Sequence, residues 1–149
     1  MIKIYPTLSV RQPWAGLIAL GIKDIENRSW SASPKYYGQT FIIHAGKQVD
    51  REAMCGSSSV IDAAEGLVSY VGASFDDFRA RLPGNEHVFQ TGGIVGSAVL
   101  TGCTQLHHSP WAQPTTGTIH WIFEQANPFP FQPLKGQLGI FKAELRDAS

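Results

Sequence analysis

The sequence predicts an α+β protein: a small mixed β-barrel of five or six strands with flanking helices and a helical insertion. Three observations carry that expectation. Strand-like apolar runs recur on both sides of the middle of the chain, residues 50–82 switch to a helical pattern, and no repeat or linker divides the whole. The 149 residues suit a single domain spanning 1–149, because two halves would each bury too little surface. A hydrophobic fraction of 43% with 16% charged residues excludes a disordered chain.

Residues 4–10 read as a short strand. Pro13 sits where a first helical turn tolerates a missing N–H, and Trp14, Leu17 and Ile18 follow at helical spacing. Gly21 suits the left-handed residue that stops this helix. Residues 22–30 alternate, with Glu26, Arg28 and Trp30 on one side and Ile25, Asn27 and Ser29 on the other. Residues 31–34 form a loop, and 39–45 a β-rich run containing His44. Asp50 then caps a helical stretch, and Ser74 with Asp77 gives a capping-box signal for 75–82. Gly92 and Gly93 open an apolar strand over 94–100 that continues past Gly102, and 118–124 is another. The Pro-rich 127–136 is expected as an ordered, irregular connection before a last strand at 137–145.

The formal charge is zero, from 12 basic and 12 acidic side chains. It is unevenly spread: residues 1–51 carry seven basic against three acidic groups, and residues 52–149 five against nine. A basic lobe attracts anions; the same counts also suit charges that mix in space. No apolar run approaches the ~20 residues of a membrane span, and the N-terminus has no signal-peptide pattern. Cys55 and Cys103 form no C-x-x-C, which gives neither a disulfide scaffold nor a zinc cluster. A cytoplasmic setting with reduced thiols is expected, and no membrane partner. His107, His108 and His120 lack companion ligands at metal spacing, so no metal or other cofactor is expected. The G-S-S-S at 56–59 lacks the second glycine of a nucleophile elbow, and Gly92, Gly93 and Gly96 form no phosphate loop.

The densest polar and aromatic cluster lies between residues 9 and 47. Arg11 and Gln12 precede a helix start, where free N–H groups favour an anion. Lys23, Glu26 and Arg28 combine a cation or desolvated base, a proton acceptor and a bidentate clamp. The same spacing also serves an ion-pair network that ties strand to helix. Trp14 has core spacing, Trp30 shares the Glu26 and Arg28 face and can stack a base, and His44 lies near Lys47 in H-A-G-K.

As a set these residues resemble a known family. L-S-V-R-Q-P-W-A-G-L-I-A-L-G-I-K-D-I-E-N-R-S-W (8–30) and Y-Y-G-Q-T-F-I-I-H-A-G-K (36–47) resemble the ASCH domain family of the PUA-like superfamily. Its signature G-x-K-x-x-E-x-R stands here as Gly21, Lys23, Glu26 and Arg28. G-G-I-V-G-S-A (92–98), W-I-F (121–123) and K-G-Q-L-G-I-F (135–141) extend the resemblance over nearly the whole chain. It implies a PUA-like barrel of about six strands with a signature-lined cleft, and recognition of RNA or modified nucleotides. Some relatives are ribonucleases. A shorter one hydrolyses the acetyl amide of N4-acetylcytidine, but its threonine nucleophile falls at Glu26, which cannot act as an activated hydroxyl.

The expected partner is therefore RNA or a nucleotide. The leading expectation is a metal-independent ribonuclease acting on single-stranded RNA, which supplies its own 2′-hydroxyl nucleophile. Lys23, Glu26, Arg28 and His44 are its candidate catalytic residues. Arg11, Gln12, Trp14, Trp30, Tyr37 and Lys47 are its candidate nucleic-acid contacts. The alternatives are a binding module without catalysis and an amidohydrolase acting on N4-acetylcytidine-type nucleosides.

Overall fold

The structure, a computed structural model, describes residues 1–50 and 90–146. The helical stretch expected over 51–82 lies outside the described residues. The chain begins with β1 (Ile2–Gln12), the short helix α1 (Trp14–Ala19) and β2 (Ile25–Arg28). A single 3₁₀ turn (Pro34–Tyr36) leads into β3 (Thr40–Val49). β4 (Gly93–Thr104), β5 (Ile119–Pro133) and β6 (Ile140–Arg146) complete the described elements.

The six strands form one sheet in the order β2-β5-β4-β3-β1-β6. Every neighbouring pair is antiparallel except β1 with β3. This corrects the expected barrel: the sheet is open, with β2 and β6 as its edges. Within β1 the ladders divide: β6 pairs with Ile2–Leu8 and β3 with Thr7–Gln12, and no ladder joins β2 to β1 or to β6. β2 and β1 meet through a side chain instead. Arg28 Nη2 on β2 donates to the Ser9 carbonyl on β1 at 2.6 Å, so the sheet curls without closing.

Helix α1 packs against β1, β3, β4 and β5, and its residues after Trp14 are all buried. It ends as the sequence predicts. Gly21 takes φ of 75°, the Gly21 N–H donates to Ile18 and the Ile22 N–H to Leu17, a Schellman turn that satisfies the last carbonyls. The Lys23 N–H donates to Leu17 as well, so this turn fixes where Lys23 leaves the helix. At the other end the Gln12–Pro13 peptide is cis, and the Gly16 N–H donates to the Gln12 side-chain oxygen at 3.0 Å.

A second correction concerns the proline-rich segment, which is part of β5 and not an irregular connection. β2 accompanies β5 only as far as Phe123, whose N–H donates to Asp24. Pro128, Pro130 and Pro133 thus occupy a stretch that has β4 alone as its neighbour, where a missing N–H is tolerated. β2 is also shorter than expected, which leaves Trp30 beyond its end. The core is built from Leu8, Val10, Ile18, Phe41, Ile43, Leu100 and Trp121, and Gly96 of β4 lets Ala19 of α1 approach closely. A Cβ at Gly96 would lie 2.7 Å from the Ala19 Cβ and 2.5 Å from the Asn127 carbonyl. Replacing Gly96 by Ala should therefore force backbone apart and destabilise the fold by about 1–3 kcal/mol. Chemical denaturation checks this, and an unchanged midpoint would contradict the packing described.

Candidate functional site

Seven segments line a cleft of about 760 Å³, among them α1 through Trp14 and the 137–139 stretch before β6. The Schellman turn delivers Lys23, β2 delivers Glu26 and Arg28, β1 delivers Ser9 and Arg11, β3 delivers Lys47, and the 105–118 loop delivers Trp111. Glu26 is the hinge of the charged wall. Its Oε2 lies 3.0 Å from Arg28 Nε and its Oε1 3.4 Å from Lys23 Nζ, so each carboxylate oxygen serves one cation. Lys23 Nζ also donates to the Ile25 carbonyl, and it stands 5.5 Å from the centre of the Trp14 ring.

Lys23 is only 5% exposed. Burial lowers its pKa, outweighing the attraction of Glu26 and of Asp24, and Arg28 lowers it further. Lys23 Nζ donates to the Ile25 carbonyl and to Glu26 Oε1, which leaves its third position for another partner. The cleft thus combines a buried amine with the fixed positive charge of Arg28 and the exposed charges of Arg11 and Lys47.

The aromatic wall is held by its own hydrogen bonds. Trp14 Nε1 donates to Asp50 Oδ2 at 3.0 Å, and Trp111 Nε1 donates to the Ile22 carbonyl at 3.0 Å. The two indoles meet edge to face with centroids 6.1 Å apart. Asn27 latches the loop that carries Trp111. Its Nδ2 donates to the Trp111 carbonyl at 3.0 Å, and its Oδ1 accepts from the Gln113 N–H at 3.1 Å and faces His120 Nδ1 at 2.8 Å. Ser109 Oγ adds a 2.6 Å bond to Asp24.

Of the ten residues singled out from sequence, six line the cleft: Arg11, Trp14, Lys23, Glu26, Arg28 and Lys47. Four do not. Gln12 is fully buried, with its amide spent on Gly16 and on the Gln90 carbonyl, so the helix start expected to bind an anion is filled by the chain itself. Trp30 lies edge-on to Trp121 with centroids 4.8 Å apart, and Tyr37 packs against the core at the end of the 3₁₀ turn. His44 is 1% exposed, between Ser9 Oγ at 2.9 Å and the Leu134 carbonyl at 2.6 Å. Sequence reasoning missed Trp111 and the latch on Asn27. A lone tryptophan in an aperiodic loop was the only available signal. Among the described residues no group of three His, Cys, Asp or Glu is placed to hold a metal ion, and no helix is long and apolar enough to cross a membrane.

The curled six-stranded sheet is consistent with a β-rich, PUA-like fold. The ASCH domain family model matches residues 8–135, and the chain belongs to the ASCH domain family, which is associated with RNA binding. Comparison with curated proteins gave no match.

Two outcomes follow from this geometry. Glu26 is the strongest influence holding the Lys23 pKa up, so Glu26→Gln should lower it further; an NMR titration of the Lys23 side chain showing a rise would contradict the wall described. The folded chain binds fewer protons at Lys23 than the unfolded chain between the lowered pKa and about 10.4, so wild type should gain stability relative to Lys23→Met as pH rises through that window. Separately, Asn27→Ala should cost about 1–3 kcal/mol and red-shift Trp111 emission as the loop comes free. An unshifted spectrum would mean that the latch is not what holds the loop.

Proposed function

We propose that the cleft takes up a nucleotide of single-stranded RNA and cleaves the adjoining backbone without a metal ion. The Lys23 amine carries the reading, because it is buried in a wall that also presents Arg28 and faces two tryptophans. The half-buried Trp14 ring stacks the base, Trp111 backs that ring edge to face, and Arg11 and Lys47 meet the neighbouring phosphates. The Lys23 lone pair accepts the 2′-hydroxyl proton, and the 2′-oxygen attacks phosphorus. The bond to the 5′-oxygen breaks, leaving a 2′,3′-cyclic phosphate; the departing oxygen takes a proton from water, and the hydroxide so formed takes the proton from Lys23, which restores the amine. Arg28, fixed by Glu26 and the Ser9 carbonyl, offsets the charge that builds on the equatorial oxygens. Glu26 positions the Lys23 amine and the Arg28 guanidinium in this reading, and His44 takes no part. Hydrolysis of an amide through residue 26 is not proposed, since Glu26 gives both oxygens to cations.

The test uses a fluorescent single-stranded RNA in EDTA. Wild type should cut it to cyclic-phosphate ends, and Lys23→Met should cut about 10²–10⁴-fold more slowly while still binding. Trp111→Ala should weaken binding by about 1–3 kcal/mol. Binding without cutting by the wild type would reduce the chain to a recognition module. Equal cutting by wild type, Lys23→Met and Glu26→Gln would assign the activity to a contaminant.

A further inference from the structure

One pair of groups at the cleft is unused by that chemistry. Ser9 on β1 and His44 on β3 are direct partners in the parallel register, and Ser9 Oγ lies 2.9 Å from His44 Nδ1. The opposite ring nitrogen, Nε2, faces the Leu134 carbonyl at 2.6 Å. A carbonyl oxygen only accepts, so in the neutral ring Nε2 carries the proton and Nδ1 keeps its lone pair. The Ser9 hydroxyl therefore donates to Nδ1. This is the tautomer a general base needs, and a third group holds it there.

The surroundings favour a reactive hydroxyl over one that merely satisfies a buried ring. Ser9 is half-buried and lines the cleft, whereas His44 is enclosed and held edge-on to Phe141. Arg28 Nη2 is bonded to the Ser9 carbonyl, which puts a fixed cation next to the residue that would attack. Two glycines keep the pair uncrowded. A Cβ at Gly136 would lie 2.7 Å from His44 Cε1 and 3.3 Å from Ser9 Oγ, and one at Gly46 would lie 3.1 Å from Ser9 Oγ.

We propose that Ser9 and His44 are a nucleophile and its base, oriented by the Leu134 carbonyl, and that the cleft hydrolyses a small carboxylic ester through an acyl-serine intermediate. His44 Nδ1 takes the Oγ proton as Oγ bonds to the acyl carbon. The resulting oxyanion is offset by Arg28. The C–O bond to the leaving alcohol then breaks, and the alcohol departs with the proton from Nδ1. Water attacks the acyl-serine, His44 takes a proton from it, and release of the carboxylic acid returns that proton to Ser9. Arg11 and Lys47 at the mouth select esters that carry an anionic group. This activity does not use the Lys23 amine, so it stands or falls separately from RNA cleavage.

The experiment treats the whole protein with a fluorophosphonate probe and with p-nitrophenyl acetate. The expected result is a single phosphonyl adduct mapped to Ser9, with release of p-nitrophenol. Ser9→Ala should lose both, and Ser31→Ala should match wild type. His44→Gln should slow both by about 10²–10⁴-fold. If His44→Gln does not fold, Ser9→Cys serves instead: its new thiol should react with iodoacetamide faster than Cys103 of the same molecule. A folded Ser9→Ala protein that keeps its esterase activity would overturn the proposal. So would an adduct on another serine, or a Ser9→Cys variant whose new thiol reacts no faster than Cys103.

Discussion

The cleft depends on one short connection, from Glu26 through Arg28 to the Ser9 carbonyl. β6 leaves β1 at Leu8, and at Ser9, the next residue, β2 reaches β1 by the Arg28 side chain with no ladder between the two strands. The guanidinium that makes this reach is held by Glu26 Oε2, and the other oxygen of the same carboxylate holds Lys23. A single acidic side chain thus sets both the curl of the sheet and the position of the buried amine. Removing one partner of a buried charge pair leaves the other uncompensated, at a cost of about 3–5 kcal/mol, which makes this carboxylate costly to replace.

Burial gives the same connection its chemical character. In water a lysine amine is protonated and serves as a point charge. Here desolvation shifts it toward the neutral form, while Arg28, whose charge is permanent, stays positive beside it. An amine of lowered pKa and a cation of fixed charge therefore share one wall. The two indoles of the same cleft are anchored through their N–H groups to Asp50 and the Ile22 carbonyl and meet edge to face, with Lys23 Nζ over the Trp14 ring.

Much of this is legible in the sequence where local rules decide. Gly21 predicts the left-handed stop, which is found, and the two-residue spacing of Glu26 and Arg28 predicts a shared strand face, which lines the cleft together with Lys23. The failures come where tertiary partners override local pattern. Alternation through 22–30 puts Trp30 on the charged face, but the strand ends at Arg28 and the indole turns to Trp121. Local pattern presents Gln12 as part of an open anion site, yet its amide fills the helix start. The prolines of 127–136 suggest a loop because sequence cannot show that β5 has a single neighbour there. Trp111 stays invisible because its place depends on bonds from Asn27, 84 residues away in the chain.

The four tryptophans allow a direct measurement of whether the cleft is the RNA surface. Each indole N–H gives its own signal in a ¹H–¹⁵N spectrum recorded while a short single-stranded RNA is added. The account predicts that the Trp14 and Trp111 signals move and saturate together, while Trp30 and Trp121 hold still. Movement of Trp30 with Trp14 and Trp111 unchanged would place the RNA on another face and contradict it.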